Sequence, residues 1–286
     1  MEKLRVGIVG CGEVTQIIHL PSLDQLHDRF AVTALCDVSP AVLEAVGDAW
    51  RISHRFGDHR ALIEQADVDV VLVANPHAYH AEVVQAALDA GKHVLVEKPM
   101  CLTLREADEV IAAQRRHPEL VVQVGTMRRY APAFVAACDL LPELGPIRLA
   151  RVHGLIGWNK FFIEETARVV RGGDVPGAVV AAGRAREAAL LREAVGDVPP
   201  ALSNAYSLLL GLSIHDLSAM RELLGMPVAV LYAAQRQNGR YLSAAFDYGD
   251  YICHFETGID NIPRFDAHLE VYGLSLIHIS EPTRPY

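Results

Sequence analysis

The chain has no apolar run approaching the ~18 residues that a membrane-spanning helix requires, no Lys/Arg-rich block, no C-x-x-C pair and no internal repeat. Each absence removes a class of function. Met1-Glu2-Lys3 leads straight into a strand-like segment, so neither a signal peptide nor a membrane anchor is expected, and a cytoplasmic location is. A formal net charge of -9 with no basic block argues against nucleic acid or an anionic membrane as partner. The five cysteines, at positions 11, 36, 101, 138 and 253, are scattered, which fits a reducing compartment and small buried thiols. His77 and His80 lie three apart, but no third ligand stands near them, so no metal site is expected.

What is present is a chain of 286 residues, 51% of them hydrophobic, which is long enough for two domains sharing a cleft. Leu4 to Val9 is short, rich in Val and Ile, and stops at Gly10, as a strand buried on both faces should. Gly10-Cys11-Gly12, continued by Glu13 and Val14, would permit a tight turn and let backbone N–H groups approach a pyrophosphate at the start of a following helix. The third position of the G-x-G-x-x-G pattern is Thr15, so the match is imperfect.

A second buried strand, Phe30 to Cys36, ends in Asp37, 25 residues after Gly12. A carboxylate there can accept bonds from the ribose 2′ and 3′ hydroxyls and repel a 2′-phosphate, which favours NAD over NADP. Val68 to Ala74 reads as a strand, Ala78 to Ala90 as a helix closed by Gly91, and His93 to Val96 as a strand. Leu104 to Arg116 reads as a helix and Leu120 to Val124 as a further strand. Such alternation predicts a parallel sheet with ligands at the carboxyl ends of its strands. Gly10, Asp37, Asn75-Pro76 and Glu97-Lys98-Pro99 all fall at such ends.

The residues resemble the glucose–fructose oxidoreductase, inositol dehydrogenase and rhizopine-catabolism (Gfo/Idh/MocA) family. The matching segments are Gly7 to Gly12, Cys36-Asp37, Asn75-Pro76 with His80, Ala90 to Pro99, Gly125 with Arg128-Arg129-Tyr130, and Ile214-His215-Asp216-Leu217. The resemblance implies an α/β fold: an N-terminal Rossmann domain with a doubly wound parallel sheet over residues 1–124, and an α+β C-terminal domain with a mostly antiparallel open sheet. It implies NAD at Gly10, Cys11, Gly12, Glu13, Val14, Asp37, Asn75, Pro76, His80, Glu97 and Lys98. It also implies a small-molecule polyol or sugar substrate near Lys98, Arg128, Tyr130, Asn159 and His215, and a homodimer or homotetramer built on the open sheet.

In that family the lysine of the E-K-P motif lies beside the nicotinamide and the substrate hydroxyl, and the following peptide is often cis; here these are Lys98 and Pro99. Hydride removal from a secondary alcohol needs an acid–base group within reach of its oxygen, and a partly desolvated lysine can polarise that oxygen or pass a proton. Glu97 is expected to orient Lys98 or the ribose. His215 matches the family's favoured proton acceptor in a stretch usually written D-x-G-x-H. Here Gly211 occupies the Asp position and Ser213 the Gly position. Asp216 points about 100° away around the helix and is a poor substitute.

The second domain is expected over 125–273, with a helix Pro132 to Leu141 and a strand Pro146 to Ile156. A flexible stretch is expected around 172–177, and a surface helix over Ala185 to Val195. The helix carrying His215 is expected between Ser207 and Leu224, followed by strands Val228 to Gln235, Tyr241 to Tyr248, Tyr251 to Glu256 and Phe265 to Tyr272. Residues 274–286 resemble read-through translation of a transposase adaptor and are expected to be a non-native tail. The substrate domain is then truncated, with apolar surface exposed and low solubility.

The leading functional expectation is an NAD-dependent oxidoreductase acting on a secondary hydroxyl or keto group of a sugar, cyclitol or related polyol. Two alternatives stay open: a non-enzymatic NAD-binding regulator, favoured by Gly211, and an NAD-dependent hydrolase or lyase that works by transient oxidation.

Overall fold

Leu4–Val9 forms β1, and its inward Val and Ile side chains are buried because helices cover both faces of the sheet around it. A π-type turn, Thr15–His19, runs into helix α1, Leu20–Gln25. Then follow β2 (Phe30–Cys36), α2 (Pro40–Trp50), β3 (His54–Phe56), α3 (His59–Gln65), β4 (Val70–Val73), α4 (His80–Asp89), β5 (His93–Val96), α5 (Leu104–Arg116) and β6 (Val122–Val124). The six strands are parallel in the order β3-β2-β1-β4-β5-β6, with β1 between β2 and β4. This is the doubly wound order, whose reversal point lies beside β1 and opens a ligand crevice at the strands' carboxyl ends. Two apolar cores flank the sheet, one around Val71, Val83 and Leu88 and the other around Ile8, Leu35 and Val46.

The chain continues through α6 (Pro132–Leu140), β7 (Leu149–Gly157), α7 (Lys160–Thr166), α8 (Gly177–Val195), α9 (Pro200–Leu208) and α10 (Ile214–Leu224). It closes with β8 (Ala229–Arg236), β9 (Tyr241–Asp247), β10 (Ile252–Asp260), β11 (Phe265–Tyr272) and β12 (Leu276–Ser280). The computed structural model describes residues 2–158, 160–274 and 276–280.

Two units emerge: Met1–Gly125 with Arg168–Gly196, and Thr126–Ala167 with Asp197–Tyr286. The chain therefore leaves the first unit and returns to it for α8. In the second unit the sheet order is β12-β11-β7-β10-β9-β8; every neighbouring pair is antiparallel except β7 and β10. Its core gathers Phe134, Val152, Met220 and Phe255 on one face of that sheet. The edge strand β8 leaves Val230, Leu231 and Tyr232 exposed, and Leu276–Ser280 pairs with β11.

Several elements differ from the sequence expectation. The surface helix starts at Gly177, not Ala185: Ala-rich sequence after Pro176 extends it to 19 residues. The helix expected from Ser207 is three pieces, α9, a π-type turn Leu209–Ser213 and α10. Within 172–177, the Asp174 side chain accepts hydrogen bonds from Ser39 and Ala41 of the same unit, as described below. Among the described residues no helix is long and apolar enough to cross a membrane, and no group of three or more His, Cys, Asp or Glu side chains could hold a metal ion.

Candidate functional site

Gly10 has φ of +99°, and a Cβ on it would lie 2.5 Å from the Ala74 carbonyl and the Asn75 nitrogen. Only glycine satisfies both conditions, so the turn after β1 presses directly against the end of β4. At Gly12 a Cβ would meet nothing within 4 Å, which leaves open space above the backbone at the start of the helical segment. Thr15, in place of the third glycine, is fully buried, and its Oγ1 donates to the Gly10 carbonyl at 2.6 Å. A threonine hydroxyl thus fastens the turn from the helix side.

Asp37 joins two segments. Its Oδ2 accepts the Cys11 N–H at 2.8 Å and its Oδ1 the Ser39 N–H at 2.8 Å. The carboxylate therefore lies at the carboxyl end of β2, tied to the glycine turn. Cys11 is buried, and burial together with Asp37 and Cys36 pushes its thiol well above the ordinary range, so it is an inert packing group.

Beyond β4, the Oδ1 of Asn75 is buried without a hydrogen-bond partner among the described residues. A buried amide oxygen left in this way calls for a donor from a bound group. His80 is fully buried, with Nδ1 2.7 Å from the Pro99 carbonyl and Nε2 2.7 Å from the Asn75 carbonyl. It sits behind these two loops and sets their spacing, and both its nitrogens face the backbone. His77 beside it is held down to about 4 by burial, with His80 and Lys98 adding to the effect.

The Glu97-Lys98-Pro99 segment follows β5, and the Lys98–Pro99 peptide is cis. Glu97 Oε1 lies 2.9 Å from His19 Nε2, and Glu97 Oε2 accepts the Lys98 N–H at 3.1 Å. Burial alone would raise the Glu97 carboxyl; the His19 and Lys98 contacts outweigh it and hold the group below the ordinary carboxylate range. Glu97 therefore acts as a fixed acceptor that ties the lysine segment to the helical segment behind the glycine turn. Gly125 leaves room for it, since a Cβ there would lie 3.4 Å from the carboxylate.

His19 and Gln16 were not singled out from sequence, and Thr15 only as the residue that breaks the glycine pattern. Thr15 and His19 are four apart on one helical face, and that spacing was the available signal. Gln16 exchanges two hydrogen bonds of 2.9 Å with the backbone of Val170, and Arg171 pairs with Glu13 at 2.9 Å.

In the second unit, His215 and Asp216 open α10. Asp216 is buried in an ion pair with Arg128, whose guanidinium also lies 5.7 Å from the Phe265 ring centroid. Arg128 is thus committed to the interior of this unit. Tyr130 is exposed, and Asn159 lies outside the described residues. A Cβ on Gly211 would meet nothing within 4 Å among the described residues.

Comparison with known proteins agrees with the first unit's geometry. Residues 4–126 match the model of an oxidoreductase family with an NAD-binding Rossmann fold. Inositol 2-dehydrogenase of Salmonella typhimurium is 35% identical over 154 residues, 53% of this chain and 45% of that protein. Inositol 2-dehydrogenase/D-chiro-inositol 3-dehydrogenase of Shouchella clausii is 35% identical over 141 residues, 49% of this chain and 40% of that protein. The matched segment is thus less than half the length of either relative. The crystal structure of scyllo-inositol dehydrogenase from Lactobacillus casei, with bound NAD(H) and scyllo-inositol, shares the fold with a TM-score of 0.74 at 23% identity, covering 97% of this chain and 76% of that one. Residues 4–126 are thus similar to the NAD-binding Rossmann domain of the Gfo/Idh/MocA oxidoreductases.

Proposed function

We propose that the protein is an NAD-dependent oxidoreductase that moves a hydride between the cofactor and a secondary hydroxyl or keto group of a sugar, cyclitol or related polyol. The observation that carries this reading is the 2.9 Å contact between Glu97 and His19, which ties the lysine-bearing end of β5 to the helical segment behind the Gly10-Cys11-Gly12 turn. Dinucleotide and lysine then belong to one crevice of the first unit.

The residues fit the cofactor: an open backbone at Gly12 for the pyrophosphate, a carboxylate at Asp37 for the ribose, and an unpartnered Asn75 oxygen. When bound, NAD supplies the hydride acceptor or donor. Cys11, Glu13, Val14 and Pro76 line the same strand ends, and His80 acts by fixing the Asn75 and Pro99 loops. Lys98 polarises the reacting oxygen through its ammonium group, and Glu97 holds the segment that carries it. His215 is the residue we assign as proton acceptor, with Tyr130 and Asn159 as substrate contacts; Arg128 acts through Asp216 in shaping that unit. Self-association of the full-length protein and a cytoplasmic location belong to the same reading.

Lys98→Ala is expected to lower turnover by on the order of 100-fold while NAD affinity stays nearly unchanged. The measurement is NADH absorbance against a panel of sugars, cyclitols and their keto forms, paired with calorimetric NAD titration. Equal turnover in the variant removes Lys98 from the mechanism. Tight NAD binding with no turnover on any member favours the regulator.

A further inference from the structure

The segment that returns to the first unit before α8 runs from the helical segment after the glycine turn to the start of α2. From Gln16 it passes through Val170 and Arg171, and at Gly172 it packs so closely on Ser39 that a Cβ there would lie 2.5 Å from Ser39 Oγ. It then places Asp174 at the N-terminus of α2. Asp174 Oδ1 accepts from Ser39 Oγ at 2.5 Å and Oδ2 accepts the Ala41 N–H at 2.9 Å.

That position matters because α2 begins directly after Asp37. A 2′-phosphate on the adenosine ribose would extend from the hydroxyl that Asp37 serves toward the first free donors beyond it, at the helix's positive end. The donors of Ser39 and of the first turn of α2 are engaged. The Ser39 N–H goes to Asp37, Pro40 has none, the Val42 N–H goes to Ser39 Oγ, the Leu43 N–H goes to the Ser39 carbonyl, and the Ser39 hydroxyl and Ala41 N–H go to Asp174. The place where a phosphate would be bound already holds an internal anion, and two carboxylates bracket Ser39.

We propose that Asp174 is a second cofactor-specificity determinant, a carboxylate from a distant segment that occupies the 2′-phosphate seat and excludes NADP. This rests on the NAD reading above. Asp37 alone removes the welcome for a phosphate by repulsion; Asp174 also takes the donors. The hydrogen bonds that hold Asp174 keep it ionised, since they lower its proton affinity.

Calorimetric titration of the purified chain with NAD and with NADP tests this. Wild type should bind NAD and strongly disfavour NADP. Asp174→Asn, which removes the charge, should raise NADP affinity relative to NAD by on the order of tenfold, as expected for a dianionic group relieved of one nearby exposed carboxylate. Asp174→Glu should restore discrimination, and Asp37→Ala combined with Asp174→Asn should exceed either change alone. The gain should shrink at high salt. Thermal melting of each variant with and without NAD reports folding separately from binding. If wild type binds NAD and Asp174→Asn leaves the NADP/NAD ratio unchanged, the inference is overturned and the cofactor reading stands. If wild type binds neither dinucleotide, the cofactor reading falls, and this inference with it.

Discussion

Replacing Arg128 with methionine should destabilise the second unit without weakening dinucleotide binding by the first. The Arg128 and Asp216 side chains are only 8% and 5% exposed, so the variant leaves a carboxylate buried without its counter-charge. The carboxylate is also hemmed in: a Cβ on Gly154 of β7 would lie 2.6 Å from Asp216 Oδ2, so strand and helix meet closely around it. Removing one member of such a pair costs about 3–5 kcal/mol, because the remaining ion keeps its desolvation penalty and loses its partner. Loss of the contact with the Phe265 ring adds about 0.5–2 kcal/mol. With a urea slope of about 2 kcal/mol/M, the unfolding midpoint should fall by roughly 2–3.5 M. Near-UV circular dichroism during urea titration measures it. The double change Arg128→Met with Asp216→Leu should recover much of the loss, since apolar replacement removes the stranded charge. A midpoint within about 0.3 M of wild type, with the defect confined to substrate KM, would refute the structural assignment and return Arg128 to the substrate.

Three further outcomes follow from named contacts. Thr15→Val deletes the 2.6 Å bond to the buried Gly10 carbonyl and should cost about 1–3 kcal/mol, with weaker NAD binding, both read by thermal shift with and without NAD. His77 titrates near 4 in the folded state against 6.5 in the unfolded chain, so the unfolded state takes up the proton first as pH falls. The stability it contributes is fully present above pH 6.5 and lost on acidification towards pH 4, by up to about 3 kcal/mol; His77→Gln should flatten that part of the stability curve. Gly211→Asp places a carboxylate four residues before His215, where no atom obstructs its Cβ, and should raise turnover roughly tenfold by orienting the ring; unchanged turnover would show that His215 does not need this partner.

The parallel sheet was legible because strands buried on both faces are continuous apolar runs, and Leu4–Val9, Phe30–Cys36 and His93–Val96 sit where the residues indicated. Short β3 (His54–Phe56) has too little apolar length to declare itself. The positions at strand ends were legible for the same reason: Gly10, Asp37 and Lys98 follow closely on where apolar runs stop. Glycines were read less well. The pair at 172 and 173 looked like a flexible linker, whereas Gly172 is small because Ser39 lies against it. A helical pattern could not say which partner a polar residue would find. Arg128 carried a motif match and a charge suited to substrate, yet its ion pair is with a residue 88 positions away.

The sequence by itself determined the alternation of strands and helices, the turn that only glycine can make at position 10, and the residue types at the ends of β1, β2 and β5, because these depend on local periodicity and backbone sterics. Tertiary structure decided which of those groups meet. It set Glu97 against His19, Thr15 beneath Gly10, Arg128 against Asp216 and Asp174 on the first turn of α2. Each is a contact between segments far apart in the chain or folded back on a turn, where hydrogen-bond satisfaction of buried or helix-terminal groups selects the partner.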